Sequence, residues 1–350
     1  MKKLFVGFLA CLLLATAMPL TALPALAANE VNIYNWEDYI SEEALKLFEQ
    51  ETGIRVNYMR FTTNEDMLVQ VRADPSNYDV LFPSDYIIER LIGEGLLEEL
   101  NHANIENAAL TLGWLQDTAY DPGMRYSVPY MWGTVGILYN TKMVREPVTS
   151  WAAMWDEAYK NNVFMMDSIR DTIGVTLKML GHSMNTREKD ALEAAKEKLI
   201  EQKKLGIVKA YQVDETKDKM IKGEAAMGLV WSGDAAYAIG YNPDLAYVVP
   251  EEGSNVWVDA MCVPKGAKNK ENAEAFINFM CRPDIALLNF EEICYCTPNA
   301  GAIELLDDET KADEVLFPPE DVIERCEFFM DIAGDIRTYD RIWLAVKSAR

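Results

Sequence analysis

Histidine is nearly absent: His102 and His182 are the only two in 350 residues. Neither stands near a cysteine in sequence, so the imidazole and thiolate sets that hold zinc are missing, and no metal is expected. Cysteine is sparse too. Beyond Cys11 the chain has Cys262, Cys281, Cys294, Cys296 and Cys326, an odd set that leaves at least one thiol unpaired in an exported monomer. Cys294 and Cys296 stand too close in sequence for an easy mutual bridge, so these residues read as small core side chains, with one bridge elsewhere left open. There is no GxSxG, no phosphate-cradling glycine loop with its lysine, and no HExxH, so no catalytic residue and no cofactor is expected. Basic charge is also short: 33 Lys and Arg face 56 Asp and Glu, a net charge of −23. Such a surface repels nucleic acid and anionic membrane and concentrates cations, although on composition alone solubility is the better account of it.

Long apolar runs are confined to the N-terminus. Lys2 and Lys3 precede an apolar stretch from Leu4 to about Met18, and Ala25-Leu26-Ala27 offers a small-x-small cleavage site. Residues 1–27 therefore read as a secretory signal peptide. Cys11 lies inside its core and is discarded with it, a lipid anchor being the minor alternative. No later stretch approaches the roughly 20 apolar residues of a membrane span. The remaining length suits two domains at roughly 100–200 residues each.

What is present is an alternation of strand and helix patterns. "VNIYNW" alternates like a strand, "SEEALKLFEQETG" is an amphipathic helix closed by Gly53, and "IRVNYMRF" is a second strand. "NEDMLVQVRAD", "YDVLFPS" and "DYIIERLIGEGLLEEL" continue as helix, strand and helix, and the middle of the chain repeats the style. This alternation predicts parallel sheet wrapped in helices. No flexible linker divides the chain, so two domains would be joined through continuous strands.

In such sheets ligands bind beyond the carboxyl ends of the strands. That rule selects "NWEDY" and "PSDY", and predicts that Trp36, Asp38, Tyr39, Ser84, Asp85 and Tyr86 share one crevice. Tryptophan and aspartate recur together at predicted strand ends: Trp36 with Asp38, Trp231 with Asp234, Trp257 with Asp259. Carboxylates meet the first need of a buried ammonium, a charged and hydrogen-bonded partner. Aromatic faces meet the second, at about 0.5–2 kcal/mol each. Each pair also has a plainer meaning: a tryptophan at a strand end is commonly core, and Asp38 and Asp234 suit helix starts. Two carboxylates in an aromatic cleft would also suit glycoside hydrolysis, which requires one of them to have a raised pKa.

Taken in order, "YNWEDYI", "YDVLFPSDY", "YSVPYMWGTVGILYN", "TSWAAMW", "GLVWSGDAAY", "VWVDAMCVPKGAKNKENAEAFINFMCRPD" and "YCTPNA" resemble the spermidine/putrescine-binding periplasmic proteins, solute receptors of polyamine ABC transporters. The resemblance implies an α/β, bilobal type II periplasmic-binding-protein fold, with two parallel-sheet-based lobes joined by a hinge. One lobe would comprise 28–135 plus 259–304, the other 138–256 plus 307–350. It further implies a periplasmic, monomeric, non-enzymatic protein that hands a polyamine to permease subunits. Carried over residue by residue, Trp36, Asp38, Tyr39, Ser84, Tyr86, Asp171, Trp231, Asp234, Trp257, Asp259 and Tyr295 match ligand-binding positions. Asp259 would grip an amine, and Asp234 matches an acid of the putrescine-selective branch. Asp171 stands where the family usually has glutamate; Ser168 replaces an aspartate of spermidine-preferring members and Phe329 a glutamine, and the loss of those two polar groups favours putrescine over spermidine. A same-fold receptor for an amino acid or ferric complex, and a secreted glycoside hydrolase, are the alternatives.

Overall fold

The computed structural model describes residues 29–332 and 334–349, so the expected signal peptide lies outside the described residues. Nine strands form one twisted sheet: β1 (Glu30–Trp36), β2 (Arg55–Phe61), β3 (Val80–Leu81), β4 (Ser127–Asn140), β5 (Val163–Met166), β6 (Val208–Gln212), β7 (Met227–Trp231), β8 (Leu245–Val248) and β9 (Val256–Cys262). Their order is β2-β1-β3-β9-β4-β7-β5-β6, with β8 also on β4. At each end sits a parallel trio, β2-β1-β3 and β6-β5-β7, which is the α/β pattern read from the sequence. The pairings that join the trios, β3-β9, β9-β4 and β4-β7, are antiparallel.

The two halves of this bilobal fold meet on one strand. Ser127 to Thr134 of β4 pair with β9, whereas Val135 to Tyr139 pair with β7, and Ile137 to Asn140 with β8. Burial on both faces along nearly its whole length explains why "SVPYMWGTVGILYN" shows no polar alternation. Apolar packing separates accordingly. Val31, Ile33, Phe48, Phe82, Met131 and Phe276 belong to one core, and Val135, Ile137, Trp151, Val163, Leu229 and Trp343 to another.

A bulge interrupts the β4-β9 ladder. Asp259 pairs with Met131 but Ala260 with Pro129, leaving Tyr130 as the extra residue. Proline cannot donate to a ladder and bulges re-aim the side chains beside them, so Pro129 marks the place. Just beyond, β3 stops at Leu81, far shorter than "YDVLFPS" suggested, because Pro83 has no N–H to continue it. Ser84 instead forms an isolated bridge with Asp259, and Ala260 N–H donates to Pro83 O at 3.0 Å.

Helices cover the sheet. Among them are α1 (Glu42–Thr52), α2 (Asn64–Ala73), α3 (Asp85–Gly93), α4 (Ile169–Met179), α5 (Lys189–Lys204), α6 (Ser232–Tyr241) and α7 (Lys270–Met280). Strand β6 and the helices Pro283–Ile293 and Ile336–Ser348 were not foreseen. The last carries a clear apolar stripe, Tyr339, Ile342, Trp343 and Val346, that seals its core. All five described cysteines are free thiols, three of them buried, which leaves no bridge among them. No described helix is long and apolar enough to cross a membrane.

The shared strand tolerates no bulk at its centre. A Cβ on Gly136 would stand 2.5 Å from both the Tyr247 ring and Val248 O. Gly136→Ala should therefore destabilise the protein by about 1–3 kcal/mol, the usual cost of overpacking. The check is a fall in the urea midpoint at unchanged m-value.

Candidate functional site

Asp259 lies at the bulge, only 7% exposed, and both its oxygens are engaged. Ser84 Oγ donates to Oδ1 at 2.6 Å and Tyr39 OH to Oδ2 at 2.8 Å. Ser84 occupies the N-cap of α3 yet makes no side-chain cap bond. The cap interaction, about 1 kcal/mol when made, is forgone to hold a carboxylate. Asn64 steers the serine, accepting from its N–H at 3.2 Å and donating to its Oγ at 2.9 Å.

Tyr39 is fixed through its own carbonyl. Tyr39 O accepts from Asn35 Nδ2 at 3.2 Å and from the Tyr130 hydroxyl at 3.0 Å, so the bulged residue opposite Asp259 also positions its partner. Rings extend the site from there. Tyr295 packs edge-on to Tyr39 at 6.1 Å between centroids and to Trp257 at 5.1 Å. A Cβ on Gly233 would lie 2.2 Å from the Tyr295 ring. Gly233 therefore permits close approach inside the first turn of α6. Trp36 closes the other flank, its Nε1–H on Phe82 O at 2.8 Å and its ring against Phe61.

Two further acids lie along the same line. Asp234, in the first turn of α6, is within reach of Tyr295 and pairs with Lys217 Nζ at 3.0 Å. Trp231, half-buried, is the residue preceding that helix and packs on the second core. Asp171 is buried near the start of α4 and accepts from Ser168 Oγ at 2.5 Å. Arg170 beside it stacks over Phe329 at 4.3 Å and Tyr86 at 5.6 Å, and donates to Met330 O and Asn185 Oδ1. Tyr86 OH bonds Asn64 and Glu65, closing the path back to Ser84.

Contacts thus link Tyr39, Ser84, Tyr86, Asp234, Trp257, Asp259 and Tyr295, Arg170 stands between Tyr86 and Asp171, and Trp36 and Trp231 pack on the adjoining cores. Asp38 stands apart: it is exposed, with φ 48° in the left-handed region that aspartate tolerates, at the tip of the turn after β1. Neither Asp38 nor Asp234 caps a helix with its side chain. Asp85, expected in the crevice, is buried beside Tyr120, with Oδ1 accepting from Tyr86 N–H and Oδ2 without a partner among the described residues. Lys217, Arg170, Asn64 and Tyr130 were not anticipated. Only Arg170, adjacent to Asp171 in "SIRD", left any trace in sequence.

The electrostatics follow from burial. Desolvation pushes Asp259 up to about 6, with the Ser84 and Tyr39 hydrogen bonds pulling the other way. Burial likewise raises Asp171 and Asp234, the latter opposed by Lys217. Tyr39 and Tyr295 are raised well above their ordinary value, chiefly by burial, so both remain neutral donors. A general acid for glycoside cleavage would also have a raised pKa, but Asp259 receives a donor on each oxygen. That pattern serves the ionised form, a docking point for a cation. No cluster of described residues has the make-up of a metal site.

A sheet with ligand-facing strand ends, divided between two lobes and centred on a caged carboxylate, defines a receptor for a small solute. Residues 43–318 match the model of the family described as bacterial extracellular solute-binding protein. The spermidine/putrescine-binding periplasmic protein of Salmonella typhimurium is 33% identical over 96% of this chain and 97% of its own. Spermidine/putrescine-binding periplasmic protein 1 of Haemophilus influenzae is 31% identical over 94% and 92%. The solved structure of the spermidine/putrescine ABC transporter substrate-binding protein from Streptococcus pneumoniae superposes with a TM-score of 0.82, at 38% identity over 91% of this chain and 98% of that one. The chain belongs to the bacterial extracellular solute-binding proteins, and among them to the spermidine/putrescine-binding periplasmic proteins.

The raised Asp259 pKa has a sign. Its folded-state value of about 6 exceeds the ordinary aspartate value of 3.8, so its contribution to stability is fully present below about pH 4 and is lost as pH rises through about 6. Asp259→Asn should therefore raise the melting temperature of the ligand-free protein at pH 7.5, and the gain should vanish near pH 4. Thermal melts across pH 4–8 check this; a destabilised variant at pH 7.5 would contradict it.

Proposed function

We propose that the protein captures a polyamine, putrescine in preference to spermidine, in the cleft between its lobes and delivers it to the permease subunits of an ABC transporter. It performs no chemistry on the ligand. It works as a monomer outside the cytoplasm after removal of residues 1–27. The lobes are taken as 28–135 plus 259–304 and 138–256 plus 307–350, closing on the ligand about the shared strands. Trp36, Asp38, Tyr39, Ser84, Tyr86, Asp171, Trp231, Asp234, Trp257, Asp259 and Tyr295 are the proposed contacts.

The observation that carries this proposal is the Asp259 carboxylate, buried among aromatic rings and held by two hydroxyls. A carboxylate in that setting is costly unless a cation joins it, and an alkylammonium with an apolar body fits rings and charge together. Burying four methylenes contributes about 3 kcal/mol at about 0.8 each, and micromolar affinity needs about 8 kcal/mol. Carboxylates and ring faces supply the rest.

The preference for a diamine draws on the Asp171 end of the site. The Ser168 hydroxyl is committed to Asp171, and Phe329, 4% exposed, lies under the Arg170 guanidinium. A third ammonium directed there would meet a resident cation and an apolar ring.

Calorimetry with putrescine, cadaverine, spermidine and spermine tests the proposal. Binding of putrescine with a lower Kd than spermidine is expected; no heat from any of the four at tens of micromolar would refute polyamine capture, and tighter spermidine binding would refute the preference. Asp259→Asn should cost at least about 2 kcal/mol of affinity, since it leaves a buried ammonium without its charged partner.

A further inference from the structure

The Asp234 carboxylate is occupied by the protein's own amine. Lys217, on the short helix Glu215–Ile221, places Nζ 3.0 Å from Asp234 Oδ1 and over the Tyr237 ring at 5.6 Å from its centroid. Its side chain is 32% exposed and that of Asp234 12%, so the pair stands at the edge of the buried interior with the lysine on the outer side. Tyr295, which packs on Tyr39 and Trp257, reaches Asp234 from within. Beyond its Cα, lysine is four methylenes and a primary ammonium, the same aminobutyl unit that makes up putrescine. A carboxylate, a ring face and an alkylammonium are thus already assembled at this end of the series.

We propose that Lys217 is a tethered competitor for Asp234, which the second ammonium of a bound diamine must displace. This rests on the cleft being a diamine site and identifies Lys217 as a determinant of its affinity. The displaced amine has a place to go: Asp214 lies three residues earlier, on the same side of the helix, with Asp218 next to it. Each binding event then exchanges one ammonium for another at Asp234, so affinity is lower than the cage alone would give. Discrimination follows as well. A monoamine anchored at Asp259 cannot drive the exchange, whereas a diamine of matching length can.

The test compares wild type with Lys217→Met, which keeps the apolar stem and removes the charge. Putrescine affinity by calorimetry should rise about fivefold, in keeping with loss of one partly exposed ion pair. The same change should have no effect in an Asp234→Asn background. Lys46→Met removes an equal charge from an exposed pair with Glu42 and should leave affinity unaltered, which separates local competition from net charge. In wild type, saturating putrescine should increase the rate at which formaldehyde and borohydride dimethylate Lys217, read by peptide mass spectrometry. Unchanged or weaker binding by Lys217→Met, with wild type binding normally, would overturn the competitor role and leave polyamine capture standing. Binding by Lys217→Met where wild type shows none would support it strongly. No binding by either would overturn both.

Discussion

The structure is organised around one unfavourable placement, a carboxylate buried where two halves of a sheet meet. Asp259 sits at a bulge in the ladder between β9 and the long strand β4, where Tyr130 is the extra residue and Pro129, which has no N–H to give, stands beside it. Everything nearby serves the carboxylate. Ser84 abandons its helix cap, Tyr39 is pinned through its carbonyl by Asn35 and Tyr130, and Asn64 holds the serine. A buried acid of this kind weakens the empty protein and strengthens the filled one. The energy withheld from folding is recovered when a cation arrives.

The same strand that creates the site also couples the halves of the molecule. Because β4 passes from β9 to β7 and β8 without a break, a change in the angle between the halves moves Trp257 and Asp259 relative to Trp231 and Asp234. Resident cations mark both ends of the aromatic series, Arg170 at Asp171 and Lys217 at Asp234. Neither touches Asp259. The central carboxylate is held by the Ser84 and Tyr39 hydroxyls with no cation beside it among the described residues, which is why it carries the main electrostatic demand for a ligand.

Much of this was legible in sequence, and the failures have physical causes. Strand and helix periodicity located most of the α/β elements, and the rule that ligands gather at strand ends picked out Trp36, Asp38, Tyr39, Ser84, Asp85 and Tyr86, whereas Asp259 came from its pairing with Trp257 and from the resemblance. The resemblance to polyamine receptors supplied Tyr295 and Asp171, which no periodicity singles out. Asp38 looks equivalent to Asp259 in sequence, yet it is exposed at the tip of a left-handed turn whereas Asp259 is buried, a difference no local pattern reports. The small size of Gly233 matters because Tyr295, more than sixty residues later, lies against it. Lys217 was invisible: in "DETKDK" it is one charge among several, and only tertiary packing delivers it to Asp234. Local pattern reports where a side chain starts, not which distant partner it meets.

The most direct test of the central claim is a crystal structure of the protein with putrescine. An ammonium nitrogen within about 3 Å of Asp259 Oδ1 or Oδ2, with Ser84 and Tyr39 still donating and Trp257 and Tyr295 enclosing the methylenes, is the predicted result. A ligand seated elsewhere, or an Asp259 that keeps only its two hydroxyl partners beside bound putrescine, would contradict it.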